Sequence, residues 1–366
     1  MNSARLIERF FNYVQCASES GKEADFCRLL ENELKRLGLF VQRDCVGHLC
    51  GSDGWNIYAR LDGKSDTMLF SAHLDTVYPG ENIKPVLKDG TIHSGGDTVL
   101  GADDKAGITA IMESLDSVIE SGKSHRTVEV LFSVCEETGL LGAKHADFSS
   151  IISKQAVVLD NESLGEIINL NPANMVVYFE VFGKSAHAGM SPEKGVHALK
   201  AAAKAVANIP VGNVDEISVM NISNFISPGK TNVVADKASF DMEIRSFSEE
   251  RLQQHLTAIE KVLKEACDYY GASYKMTTDR HSDVIYVPES SSLVDEIIQK
   301  FAQLGVVGKT TKSFGGCDAT HIFEAGIDVV NLGIGMKAVH SCDEHIAVQD
   351  LETTAKLVEL LMAGDQ

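Results

Sequence analysis

Proline is scarce, with 7 residues in 366, and no Cys-x-x-Cys pair occurs among the eight cysteines. With 44% hydrophobic and 23% charged residues, that scarcity of proline excludes a disordered chain. The cysteine spacing excludes a zinc finger or a redox pair. Positive charge is short as well: 33 Lys and Arg stand against 52 Asp and Glu, a net charge of -19. Phosphates would be repelled, so neither nucleic acid nor an anionic membrane surface is expected as a partner. No run approaches the ~18 uncharged apolar residues of a membrane span. The opening Met1 to Phe11 carries Arg5, Glu8 and Arg9 where a secretion signal would be apolar. Cys135 closes an apolar run and Cys267 falls four residues after Leu263 on a helix candidate, so both read as buried thiols, and a reducing cytoplasm is the expected compartment.

The length suits two domains. Two helices open the chain. The second, Lys22 to Leu37, spaces Phe26, Leu29, Leu30, Leu34 and Leu37 on one face, with Ser20 near its start and Gly38 as its stop. Strand candidates then alternate with helices: Trp55–Leu61, Thr67–Leu74, a helix from Ala106 to Ile119, Thr127–Cys135 and Ala156–Leu159. The runs MLFSAHL, VEVLFSVC and AVVLD are short, apolar and closed by polar residues, as in an α/β sheet covered on both faces.

From about Pro172 the pattern changes. Strand Met175–Phe182, helix His197–Ile209, strands Ile217–Ile226 and Asn232–Ile244, helix Glu249–Tyr269 and strand Ser273–Thr278 give the order β-α-β-β-α-β. That is the split pattern of a ferredoxin-like domain. The expected organisation is therefore a catalytic domain of residues 1–172 and 284–366, a mixed β-sheet flanked by helices, with an inserted α+β domain at 173–283.

Three of the apolar strands end in metal-ligand types: His73, the pair Glu136–Glu137, and Asp160. In open α/β sheets ligands bind at the carboxyl ends of strands. One polar residue there ordinarily makes a turn, but three such endings are hard to dismiss. His73 and Asp75 lie two apart on an extended chain and share a face, so Asp75 is positioned to accept the second imidazole N–H. Asp103 and Asp104 stand together in a glycine-flanked loop before a helix, where a helix cap explains one acid comfortably and two poorly. Adjacent Glu136 and Glu137 suit a division into general base and metal ligand. His340 follows a strand-like VVNLG, and His187 sits among small residues after the first strand of the insertion. His125, His255 and His281 read as surface residues.

The segments SAHLDTV, GADDKAG, EETGLLGA, VVLDNE, GKSAHAG and VHSCDEH stand in this order along nearly the whole chain. Together they resemble the co-catalytic zinc peptidases related to peptidase T, glutamate carboxypeptidase and aminoacylase, and GADDKAGI with NLGIGM is most similar to the peptidase T branch. The resemblance implies two divalent ions, zinc foremost with cobalt or manganese as alternatives. Asp103 would bridge them, His73 and Asp160 would complete one site, and Glu137 and His340 the other. Asp75 would support His73, Glu136 would be the general base, and the Asp103–Asp104 bond would be cis. The inserted domain would be a lid and the surface of a homodimer, with His187 reaching a partner's active site. Arg245 would take a substrate carboxylate, with Asn232, Gly316 and Asp318 as further substrate contacts. The sequence departs from the family pattern at Cys317, either a harmless small residue or an oxidisable thiol beside the substrate loop. The implied reaction is hydrolysis of a small peptide, an aminopeptidase acting on tripeptides. A deacylase or carboxypeptidase using the same site, or a metal-containing binding protein without catalysis, are the competing functions.

Overall fold

The computed structural model describes residues 1–364. It divides into two compact units, one of Met1–Asn169 with Tyr286–Gln366 and one of Leu170–Ile285.

The first unit is built on a nine-stranded mixed sheet. Its centre is four parallel neighbours in the order Thr127–Ser133, Thr67–His73, Gln155–Asn161 and Asp328–Gly333. Asn56–Leu61 and Phe40–Asp44 extend it antiparallel on one side. The apolar runs become strands because both faces are covered: Met68, Leu69, Phe70, Val128, Val130 and Phe132 are wholly buried. Helix Ala102–Ser121 packs against Thr67–His73 and against helices Ser3–Gln15 and Val348–Ala363, so it is buried as far as Val118. The acids this burial would strand are paired, Glu113 with Arg5 (2.7 Å) and Asp116 with Arg9 (2.5 Å).

Some boundaries differ from expectation for identifiable reasons. The second helix begins at Ala24, and Ser20 does not cap it, because the Ser20 hydroxyl donates to Asp75 (2.6 Å). The central helix begins at Ala102 rather than Ala106, but Asp103 and Asp104 keep non-helical backbone inside it. A small antiparallel sheet escaped the sequence reading: Met336–Lys337, His345–Ala347, Thr91–Ser94 and Pro85–Lys88. Its strands are two to four residues long and carry little periodicity.

In the second unit, strands run last, first, third, second across the sheet: Ser273–Ser282, Ala173–Phe182, Lys237–Ser246, Ser218–Ile226. That is the ferredoxin-like arrangement with one extra edge strand, Gly212–Asp215. Helices Ala198–Asn208 and Glu249–Tyr270 cover one face, with Leu263 of the second helix in the same buried core as Val177, Phe179 and Phe240 of the strands. The third strand starts at Lys237 and not at Asn232. The intervening residues pair instead with the loop around His187: Val233 bridges His187, and the Val234 N–H donates to Ala186. His255 is not a surface residue; its side chain is 11% exposed, with Nε2 at 3.0 Å from Asp215.

Candidate metal centre

Register brings the candidate ligands of the first unit together. His73 lies opposite Ser133 in the parallel pair, so Glu136 and Glu137 follow at the same edge of the sheet. Ser71 lies opposite Val158, which carries Asp160 to the level of His73, and His73 Nε2 is 3.9 Å from an Asp160 oxygen. The loop before the central helix turns at Gly101, whose φ of +72° favours glycine. The Asp103–Asp104 peptide that follows is cis. Gly107 is required by a close approach: a Cβ there would stand 2.3 Å from Asp104 Oδ1 and 2.8 Å from the Leu159 carbonyl. Gly107→Ala is therefore expected to destabilise the protein by ~1–3 kcal/mol through overpacking. Thermal unfolding of the metal-free variant measures it, and an unchanged midpoint would contradict the close approach.

Asp103 is central. Its Oδ1 lies 3.0 Å from His73 Nε2, and its Oδ2 lies 3.2 Å from His340 Nε2. His340 Nε2 is also 2.9 Å from Glu137 Oε1, a buried oxygen that nonetheless makes no hydrogen bond of acceptable geometry. Two trios have ligand atoms within 4.8 Å of one another: His73, Asp103 and Glu137, and His73, Asp104 and Asp160. Asp104, for which the motifs imply no ligand role, thus stands among the candidate ligands. Its carboxylate accepts from the His73 N–H (3.3 Å) and the Gly107 N–H (3.2 Å), tying strand to helix.

The acids are crowded and buried, and their proton affinities follow. Burial pushes Asp160 and Asp104 up, each helped by the neighbouring Asp103. Burial likewise pushes Glu136 well above the usual carboxylate range, and Asp160, Asp318 and Glu137 add to the rise. Burial works in the same direction on Asp103, yet His340 and His73 hold its carboxyl well below that range. Burial opposes charge on His73, but Asp103 and Asp75 raise it well above its ordinary value. His340 is carried up to about 10 by Asp103 and Glu137. An array of carboxylate oxygens and imidazole nitrogens sharing protons in this way fits divalent cations of the zinc, cobalt or manganese class. The orphaned Glu137 oxygen points to the same fit.

Around this array stands a set of supports. Nδ1 of His73 is 3.0 Å from the Asp75 carbonyl and 3.4 Å from its carboxylate. The Asp75 carboxylate also accepts from the Glu136 and Glu137 N–H groups, at 2.9 and 3.2 Å. Glu23 takes the Cys135 N–H (3.1 Å), and Asn331 clamps Asp160 by both main-chain groups, at 2.9 and 2.7 Å. The supporting roles of Glu23 and Asn331 are not legible in the sequence: Glu23 stands outside every motif, and Asn331 stands in NLGIGM without a partner that its spacing could name.

Asp318 is 2% exposed, with its carboxylate on the Ser133 hydroxyl, so it lies beneath the surface rather than on it. Gly316 is exposed beside Leu140. Cys317 is buried, accepts from Asn331 (3.3 Å), and burial pushes its thiol well up, which favours the inert alternative. His187, Asn232 and Arg245 belong to the second unit. His187 is exposed, and its Nδ1 accepts from the Gly189 and Met190 N–H groups, at 3.2 and 3.1 Å, leaving the proton on Nε2. Arg245 pairs with Glu243 at 2.9 Å, and the Asn232 carbonyl accepts from Ala188.

The model of peptidase family M20/M25/M40 matches residues 69–364. The chain belongs to this family. It is accordingly a hydrolase of the metallopeptidase class, as the motifs implied. The uncharacterized protein YqjE of Bacillus subtilis (strain 168) is 34% identical over 361 residues, 98% of this chain and 97% of that one. Among solved structures, aminopeptidase PepT from Bacillus cereus is similar with a TM-score of 0.93 and 34% identity, covering 99% of this chain and 98% of that chain. A tripeptidase from Staphylococcus aureus is similar with a TM-score of 0.93 and 30% identity, over 99% and 98%. Among the described residues of this M20 peptidase no helix is long and apolar enough to cross a membrane.

Proposed function

We propose that this peptidase uses two divalent metal ions to release the N-terminal residue of short peptides, tripeptides foremost. The observation that carries this reading is the position of Asp103, each of whose carboxylate oxygens faces a different histidine. Asp103 would be shared by both ions, with His73 and Asp160 on one side and Glu137 and His340 on the other. Zinc suits this donor set, and cobalt and manganese suit it too.

Two such ions, when bound, supply Lewis acidity and bring the pKa of a shared water toward neutrality. The remaining chemistry falls to side chains of the chain itself. Glu136 belongs to neither ligand trio, is 8% exposed, and has a raised proton affinity. A carboxylate in that condition is suited to take a proton from the attacking water and return it to the leaving amine. The Nε2–H of His187 would donate to the developing oxyanion. Arg245 would receive a substrate carboxylate, with the peptide running past Asn232, Gly316 and Asp318. The second unit would serve as lid and as the surface of a homodimer, through which His187 would reach the partner's active site. The eight cysteines, all free among the described residues, are in keeping with a reducing cytoplasmic setting.

Support for the aminopeptidase comes from the likeness to PepT and to the tripeptidase, over nearly the full length of each. The test is activity on a free tripeptide after the protein is stripped of metal and given back zinc, cobalt or manganese. Release of the N-terminal residue is expected to return with metal and to disappear when the amine is acetylated. Cleavage of N-acyl amino acids with no action on the free tripeptide would sink the aminopeptidase in favour of a deacylase.

A further inference from the structure

Glu344 is a carboxylate that the chain has buried, at 1% exposure, and among the described residues no cation is in direct ion-pair contact with it, Lys105 acting on it only at longer range. Three main-chain donors hold it instead. Oε2 accepts from the N–H groups of Leu100 and Gly101, both at 2.7 Å, and Oε1 accepts from the N–H of Asp103 at 2.9 Å. Hydrogen bonds to a carboxylate are among the strong ones, and three in a buried site fix the backbone that gives them. The backbone fixed here is the turn from which Asp103 projects.

Glu344 also closes the loop that carries His340. That loop joins Met336–Lys337 to His345–Ala347 and contains two non-glycine residues at positive φ, Ala338 and His340. Inside it the Ser341 hydroxyl donates to the Ala338 carbonyl (2.7 Å), and the Glu344 N–H donates to the Ser341 carbonyl (3.1 Å). The His340 side chain is 53% exposed, so packing alone does not aim it. Its loop is tied to the Asp103 turn at Glu344, and the two residues come within 3.2 Å of each other.

We infer that Glu344 is a positioning residue that sets the separation of Asp103 and His340, and so the geometry of the metal site they share with Glu137. The inference rests on the ligand assignment proposed above. It differs from ordinary support of the fold in one respect: loss of Glu344 weakens the metal site on the His340 side more than the other, because there it displaces both Asp103 and His340. Glu344→Gln keeps the size but turns an NH₂ toward an N–H donor, and Glu344→Asp keeps the charge but withdraws the carboxylate by one methylene.

The experiment titrates cobalt(II) into metal-stripped protein and follows the d–d absorption and the binding heat. His340→Ala identifies which uptake step belongs to the His340 side. In Glu344→Gln that same step is expected to weaken by ~10–100-fold, the usual cost of losing a residue behind a metal ligand, while the other step changes much less. Glu344→Asp carries the test where the Gln variant fails to match the wild-type circular dichroism spectrum without metal. Two unchanged steps in the folded variants, or equal loss at both, would overturn the inference alone. A wild-type protein taking up no cobalt would overturn the ligand assignment and the inference with it.

Discussion

Glu136→Gln is expected to keep both metal ions and to lose nearly all turnover, with kcat falling by ~10²–10⁴ and KM little changed. The side chain lies at the end of Thr127–Ser133 among the candidate ligands but in neither trio. Its main chain is held by Asp75 at 2.9 Å, a bond the substitution leaves intact. Gln has the same size, so the pocket has no reason to collapse. What Gln lacks is a site for a proton. Burial, with Asp160, Asp318 and Glu137 nearby, raises the proton affinity of Glu136, the direction a carboxylate needs if it is to accept a proton during attack and surrender it to an amine. Steady-state rates on a free tripeptide, beside elemental analysis of the same sample, test the expectation. Near-normal turnover with full metal would remove Glu136 from the chemistry. Lost turnover with lost metal would make it a ligand instead.

The features of the site legible in the sequence share one physical origin. Parallel strands covered on both faces must be apolar almost throughout, so a histidine or acid that closes such a run stands out. His73, Glu136, Glu137 and Asp160 were visible for that reason, and the register of the parallel strands does bring their backbones to one edge. The split order of strands in the second unit was visible because its helices are long and its strands alternate. Glu344 stands inside VHSCDEH, but its role was not visible. A buried carboxylate that accepts main-chain N–H groups looks in sequence like any loop acid, and its partner Asp103 is 241 residues away. Ser20 was misread for a related reason: a hydroxyl before a helix is ordinarily a cap, and here Asp75, 55 residues on, takes it. The residues before Lys237 have the composition of a strand, but the His187 loop uses their hydrogen bonds. These concern long-range polar contacts, on which periodicity carries no information, whereas the small antiparallel sheet is illegible because its strands are only two to four residues long.

Asp103→Asn is expected to abolish binding of both ions, a larger loss than substitution at any single-sided ligand. The reason lies in the two oxygens. Oδ1 faces His73 at 3.0 Å and Oδ2 faces His340 at 3.2 Å, on opposite sides of one carboxylate. Asn replaces one oxygen by an NH₂, which turns hydrogen atoms toward one cation position, and removes the negative charge that both positions share. The two histidines would also lose the partner that now raises their proton affinity, but that gain in free imidazole offers no replacement for a bridging oxygen. Asp160→Asn and Glu137→Gln, by contrast, each alter one side and are expected to spare an ion. Cobalt titrations of the three variants separate these outcomes: no uptake step in Asp103→Asn, and one surviving step in each of the others. The loss in Asp103→Asn should exceed the ~10–100-fold that a neighbour of a metal ligand costs, and peptide hydrolysis should fall to background. Two surviving steps in Asp103→Asn would mean that the ions do not share this carboxylate, and Asp104, which with Asp160 supplies the acids of the other trio, would then be the residue to examine.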